Sequence, residues 1–288
     1  MTDIQALILG IVQGATEFLP ISSSGHLVLV PWLLDWHGVG ESNMAFDVLV
    51  HLGTLAAVFG YFWRDFKRMI GAAWSGVRRR DPMADPDSRL AWFILGGSIP
   101  AGLAGLALED WFEGLFGNPA AVAVLLFGTA GLLCLAERVR ARGDASRAHD
   151  RRLNTLDTLN RMKWADALWI GAAQAMAILP GISRSGATIA AGLVRGFDRA
   201  SAARFSFLLG TPAIIGAAAL QLLDLLQAGA LESQIKVLLI GFASAAVVGY
   251  LTIHALLLYV RERSLNIFAV YCALFGAVSL IIYVVRGN

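Results

Sequence analysis

Apolar residues run along this chain in long stretches set apart by short polar clusters. Six runs, roughly 44–63, 90–108, 119–136, 205–227, 236–260 and 267–285, approach the about 20 residues that a helix needs to cross a bilayer core. Two further apolar regions, 3–36 and 166–197, are each interrupted near the middle by a Pro/Ser/Gly cluster. Each half is too short to cross alone. Broken backbone at membrane depth is tolerated only where protein buries it or a cavity is lined by it. The pattern therefore predicts an all-α polytopic membrane protein with six transmembrane helices and two re-entrant helical hairpins.

Composition agrees with that class and charge orients it. The chain is 57% hydrophobic and 15% charged, against about 25% charged in soluble domains. The net charge of +2 decides little, whereas its placement decides much. No Lys or Arg precedes Arg64, and 15 of the 23 basic residues fall in two segments, 64–89 and 137–163. The positive-inside rule makes both segments cytoplasmic. They read as solvated loops that orient the chain, and nothing in them points to nucleic acid. The connection EDWFEGLFGN (109–118) has acids and no base, as an external loop would, and Arg261 and Arg263 mark a third internal loop. The spans then alternate with both termini outside. MTDIQALILG lacks the basic start and small-residue cleavage site of a removable signal peptide. Cys134 and Cys272 sit inside apolar runs and read as packing residues.

An internal repeat is visible. ALILGIVQGATEFLPISSSG (6–25) resembles ALWIGAAQAMAILPGISRSG (167–186), matching Gly10, Gln13, Pro20, Ser22, Ser24 and Gly25 to Gly171, Gln174, Pro180, Ser183, Ser185 and Gly186 with two one-residue shifts. LGTLA (52–56) is echoed by LGTPA (209–213). Three spans separate the hairpins, so the second enters from the opposite side. The expectation is one membrane domain over 1–288, with a first repeat of about 1–136, a basic loop at 137–165 and an inverted second repeat of about 166–288. Such repeats place their site near the midplane at discontinuous helices.

The breaks carry the candidate chemistry. Pro20 ends one helix, Ser22, Ser23 and Ser24 are good N-cap types, and Gly25 permits close backbone approach. A new helix starting there aims free N–H groups and a positive dipole end at the break, which suits an anion. GISRSGAT repeats the device with Ser183, Ser185 and Gly186 and adds Arg184, a planar fork of donors that matches phosphate oxygens. Glu17 lies one helical turn after Gln13, and an intramembrane carboxylate is a functional candidate by default. It suits either a proton or a hard divalent cation, Mg²⁺ or Ca²⁺, held on a diphosphate with help from Gln13. His26, beside the serines, suits a base for a hydroxyl or an acid for a leaving phosphate. Asp47 and His51 lie one turn apart and are candidates to line the same cavity. His254 and Asp224 read as structural, and His37 and His149 as loop residues.

At these residues the sequence resembles the undecaprenyl-diphosphate phosphatase family linked to bacitracin resistance. The likeness rests on QGATEFLPISSSGHLVL (13–29), PGISRSGATI (180–189) and RFSFLLGTPAI (204–214) and extends over nearly the whole chain. It implies a bacterial inner-membrane enzyme that removes the terminal phosphate of undecaprenyl diphosphate, returning the monophosphate as carrier lipid for cell-wall precursors. The family's acidic motif falls on Gln13 and Glu17, its Ser-Ser/Thr-Gly-His stretch on Ser23, Ser24, Gly25 and His26, and its arginine motif on Ser183, Arg184 and Ser185. Gln13 departs from members with two acids, which leaves Glu17 with most of any metal ligation. Ser23 attack assisted by His26, His26 as nucleophile, and His26 activating water all remain open. So does a homodimer. The rival class is a lipid-phosphate transporter using the same anion cradle.

Overall fold

Where water is excluded, a chain must close its backbone hydrogen bonds within each segment. The computed structural model of the protein does so with α-helices throughout and no strand among the described residues, which are 1–36, 44–107, 117–146, 159–228 and 235–287. In chain order the helices are α1 (Asp3–Thr16), α2 (Ser23–Leu33), α3 (Met44–Tyr61), α4 (Trp63–Arg78), α5 (Pro86–Ala107) and α6 (Pro119–Ser146). They continue with α7 (Trp164–Met176), α8 (Arg184–Val194), α9 (Arg199–Ala228), α10 (Ile235–Glu262) and α11 (Asn266–Arg286).

Five of these helices, α5, α6, α9, α10 and α11, are long and apolar enough to cross a membrane. A sixth span is available if α3 and α4, bent by 76° between them, count as one. The protein is therefore a multi-pass membrane protein. Both interrupted regions are helix–break–helix units, α1–α2 and α7–α8. The first basic segment is not a plain loop, because α4 occupies most of it. Within the second, α6 runs on to Ser146. Residues 147–158, most of the acidic connection (109–116), His37, His149 and the side chain of Asp224 lie outside the described residues.

Helix starts follow from local chemistry. Thr2 and Gln5 form a reciprocal capping box on α1, with Thr2 Oγ1 accepting from Gln5 N at 3.3 Å and Gln5 Oε1 from Thr2 N at 2.8 Å. Packing then depends on small residues. α10 lies against α1 and α3, α5 against α7, α6 against α11, and α8 against α6, α7 and α9. A Cβ at Gly10 would lie 2.6 Å from Gly241 O, and one at Gly171 would overlap Gly97 O. These two glycines are the pair matched in the sequence repeat, and each brings the first limb of its broken region onto a glycine of a long helix. Between membrane helices, where lipid is as apolar as leucine, such close backbone approach supplies much of the attraction.

Ionic contacts tie the ends of the bundle. Glu137 on α6 accepts from Arg199 Nε at 2.7 Å and Nη2 at 2.6 Å, and also from Leu265 N at 2.9 Å. One carboxylate thereby joins α6, the start of α9 and the α10–α11 connection, with the bidentate geometry that favours Arg. Arg195 reaches Asp166 at 2.6 Å, linking the end of α8 to the start of α7.

Candidate active site

The breaks meet each other inside this frame. Ser22 caps α2 by accepting from Gly25 N at 3.3 Å, and Ser183 caps α8 by accepting from Gly186 N at 3.0 Å. The cap hydroxyls pair with the second serine in each case, Ser22 with Ser24 at 3.3 Å and Ser183 with Ser185 at 3.2 Å. The two serine–glycine devices are thus built alike, and they abut. A Cβ at Gly25 would lie 3.4 Å from Gly181 Cα, and one at Gly186 would lie 3.5 Å from Pro20 Cβ. The tighter contact at each glycine is with its own cap serine: a Cβ would lie 3.2 Å from Ser22 Oγ at Gly25 and 2.9 Å from Ser183 Cβ at Gly186.

Broken backbone leaves carbonyls that need partners. Ser185 Oγ donates to Leu19 O at 3.0 Å, and Cys272 Sγ approaches Pro20 O at 3.8 Å. At the second break Thr129 of α6 does both jobs: its hydroxyl donates to Gly181 O at 2.8 Å and accepts from Ser183 N at 2.9 Å. These contacts use the hydroxyls of Ser22, Ser183 and Ser185 to hold the breaks. What the helix starts offer an incoming anion is chiefly the N1 and N2 amides, which have no intrahelical acceptor.

Glu17 is the hub. Its side chain is 4% exposed, and its Oε1 accepts from Arg184 Nη2 at 2.6 Å. Its Oε2 accepts from Ser23 Oγ at 2.5 Å and from Gln13 Nε2 at 3.0 Å. The acid of the first break, the arginine of the second and the serine at the head of α2 therefore form one cluster. Arg184 is wedged against the chain at Gly210, where any Cβ would overlap its guanidinium. Two buried polar atoms of the cluster have no partner, Arg184 Nη1 and Gln13 Oε1. A buried unpaired polar atom costs about 1–3 kcal/mol, so each would gain from a partner supplied by a bound group. His51 is near enough to act electrostatically on Glu17, while its ring Nδ1 lies 2.7 Å from Asp47 O.

His26 belongs to the same start of α2 but keeps different company. Its Nδ1 lies 2.7 Å from Ser22 O, so that nitrogen carries the proton and Nε2 is left to accept from Tyr271 OH at 2.8 Å. The ring stacks on Phe275, with centroids 4.7 Å apart. The Ser23 hydroxyl is bonded to Glu17, not to His26. Tyr271, Thr129 and Gly210 escape the sequence reading. A lone tyrosine, threonine or glycine in an apolar run carries no local sign of what it touches, although Gly210 does lie in the repeated LGT motif. His254, read as structural, lies 3.3 Å from Tyr61 OH.

Among the described residues no group of three or more His, Cys, Asp or Glu side chains is placed to hold a metal ion. Gln13 Oε1 is a free oxygen, and Glu17 is the neighbouring carboxylate. Mg²⁺ is commonly held by one or two carboxylates together with substrate phosphates. Glu17 and Gln13 fit a divalent cation on those terms, with a phosphate ligand present to complete the shell.

Comparison with known proteins gives full-length relatives. The chain is 46% identical to an undecaprenyl-diphosphatase of Thermomicrobium roseum, over 96% of this chain and 97% of that protein. It is 42% identical to an undecaprenyl-diphosphatase of Methanosphaera stadtmanae, over 99% of this chain and all of the relative. It is also 42% identical to one of Desulforudis audaxviator, over the full length of both. Residues 6–278 match the family described as bacitracin resistance protein BacA, and with the relatives spanning nearly every residue on both sides, the chain belongs to that family.

Proposed function

We propose that the protein hydrolyses undecaprenyl diphosphate to undecaprenyl phosphate and inorganic phosphate, recycling the carrier lipid of cell-wall synthesis. The observation that carries this reading is the cluster of Glu17, Arg184 and Ser23. A buried guanidinium N–H without an acceptor stands next to a hydroxyl already bonded to a carboxylate. Arg184 Nη1 can take a phosphate oxygen while Nη2 keeps its bond to Glu17. The relatives' shared name supports the same substrate.

In the proposed sequence the diphosphate settles between the breaks with its prenyl tail in lipid. Arg184 and the N1 and N2 amides of α2 and α8 hold non-bridging oxygens and stabilise the transition state. Ser23 Oγ attacks the terminal phosphorus, its proton passes to Glu17 Oε2, and undecaprenyl phosphate leaves. Water then cleaves the phosphoserine and releases inorganic phosphate. His26, oriented by Ser22 O and Tyr271, serves as the proton relay for the leaving oxygen. A Mg²⁺ or Ca²⁺ held by Glu17 and Gln13 would neutralise charge on the diphosphate. Direct attack by water activated by His26 is the competing route.

The same proposal covers orientation. Six spans and two re-entrant hairpins, arranged as an inverted repeat, are supported by the matched caps at Ser22 and Ser183 and the matched contacts of Gly10 and Gly171. Both termini would lie on the periplasmic side of the inner membrane and the site would open outward.

The test is phosphate release from undecaprenyl diphosphate by purified protein, with and without a chelator. Release that survives in folded Arg184→Ala and Glu17→Ala variants would overturn the assigned site. Stereochemistry at phosphorus tests the serine route: double displacement predicts net retention and a trappable phosphoserine, whereas inversion excludes it.

A further inference from the structure

Helix α4 sits apart from the catalytic cluster and presents three distinct faces. It leaves α3 at 76°, so if α3 crosses the bilayer, α4 runs close to the membrane plane. One face docks on the protein. Met69 and Gly76 are buried there, a Cβ at Gly76 would lie 2.9 Å from Pro82 Cα, and Asp65 bridges Arg68 at 2.6 Å and Arg204 of α9 at 2.5 Å. A second face carries Trp63, Ile70, Trp74 and Val77, which recur at helical spacing and stay exposed, Trp63 at 63% and Trp74 at 67%. The third face, next to the exposed apolar one, carries Arg64, Lys67 and Arg78 and runs on into Arg79 and Arg80. Among the described residues none of these five cations forms an ion pair, although Arg68 beside them does.

Two exposed tryptophans beside unpaired cations, on a helix set at 76° to α3, match an interfacial amphipathic helix. We infer that α4 lies in the headgroup layer of the leaflet facing the basic segments, with its Trp63–Val77 face in the acyl boundary. Its basic edge, Arg64, Lys67, Arg78, Arg79 and Arg80, binds the headgroups of anionic phospholipids. Each such cation near an anionic surface strengthens attachment by roughly fivefold. This lipid site is separate from the hydrolytic reading and does not depend on it. The Asp65–Arg204 pair is one of its links to the bundle, beside its packing on α5.

The test uses full-length protein in phosphatidylcholine vesicles containing a small, equal fraction of chain-brominated phosphatidylglycerol or brominated phosphatidylcholine. Trp74 quenching is read as the difference between the protein and its Trp74→Phe variant. The expected result is strong quenching, greater with phosphatidylglycerol, with the excess lost in a Lys67→Gln/Arg78→Gln/Arg79→Gln variant that keeps its unfolding temperature. Equal quenching by both lipids would overturn headgroup binding. Absence of quenching would overturn the interfacial placement and leave the face to a second copy or another protein. Loss of the phosphatidylglycerol preference on adding inorganic phosphate, with sulfate at equal ionic strength as control, would assign the basic edge to soluble anions and overturn the lipid site.

Discussion

The first break turns the chain in six residues, 17–22, and the second in seven, 177–183. Both must pass through one residue of positive φ. The second break uses its extra residue for this: Gly181 takes φ +103, and Ser183 caps α8 at an ordinary φ of −72. The first break has no such glycine, so the cap itself, Ser22, adopts φ 72. Glycine takes that conformation freely, whereas other residues held in sparsely populated backbone regions cost about 1–3 kcal/mol. Strain is therefore held in the break that carries Glu17, Ser23 and His26, while the break that supplies Arg184 is relaxed. The comparison separates one local device into two forms, a strained half that carries the proposed reacting groups and a relaxed half that carries the arginine.

The largest effects should come from cutting the link between the halves. Arg184→Ala strands Glu17 as a buried carboxylate without its cation. Removing one donor from a transition-state cradle costs about 10²–10³-fold in rate, and breaking a buried pair costs about 3–5 kcal/mol of stability. Both losses are expected, read by phosphate release and by thermal unfolding in detergent. Arg184→Lys should recover part of the stability but little of the rate, since a point charge lacks the fork. A double-mutant cycle of Glu17→Gln with Arg184→Ala should show strong non-additivity, as it must if the two act as one unit.

Within the first break, Ser23→Ala should abolish turnover to within measurement, whereas Ser24→Ala, which loses only a contact to Ser22, should retain most of it. Equal effects would dissolve the distinction between a reacting and a supporting serine. Gly210→Ala tests the second half from outside, since the added methyl would occupy the place of the Arg184 guanidinium. A fall in kcat on the order of tenfold is expected from a displacement of this kind, with a smaller loss of stability. Its repeat mate Gly53 lies against Phe242 O instead, so Gly53→Ala should cost stability with little selective effect on kcat.

The smallest expected effect is the sharpest test of strain. Ser22→Gly loses a cap hydroxyl, worth a few tenths of a kcal/mol against glycine, but relieves the positive φ. Its unfolding temperature should be unchanged or raised while activity falls. Gly181→Ala has no such compensation: φ +103 disfavours alanine, and its Cβ would lie 2.5 Å from Val122 O. A loss of about 1–3 kcal/mol is expected. If both substitutions destabilise alike, strain is not concentrated in the first break.

The sequence by itself determined the membrane class, the apolar runs, the two breaks and the types of group gathered at them. Each is a local demand: a run must satisfy its own backbone in lipid, and a break needs Pro, Ser and Gly to begin again. Glu17, Ser23 and Arg184 were legible for the same reason, because charge and hydroxyls inside apolar runs stand out. The tertiary structure alone decided how they meet. It paired Glu17 with Arg184, 167 positions away, gave the Ser23 hydroxyl to Glu17, and turned His26 toward Tyr271. It also made Thr129 the clamp of the second break and α4 a helix rather than a loop. The physical reason lies in the solvent. In water the buried face of a helix is marked by its apolar residues, but in lipid the outward face is equally apolar. The chain therefore records where helices start and stop, while which faces touch is decided by close packing at glycines such as Gly10, Gly171 and Gly210, a fit that becomes visible only once the helices are assembled.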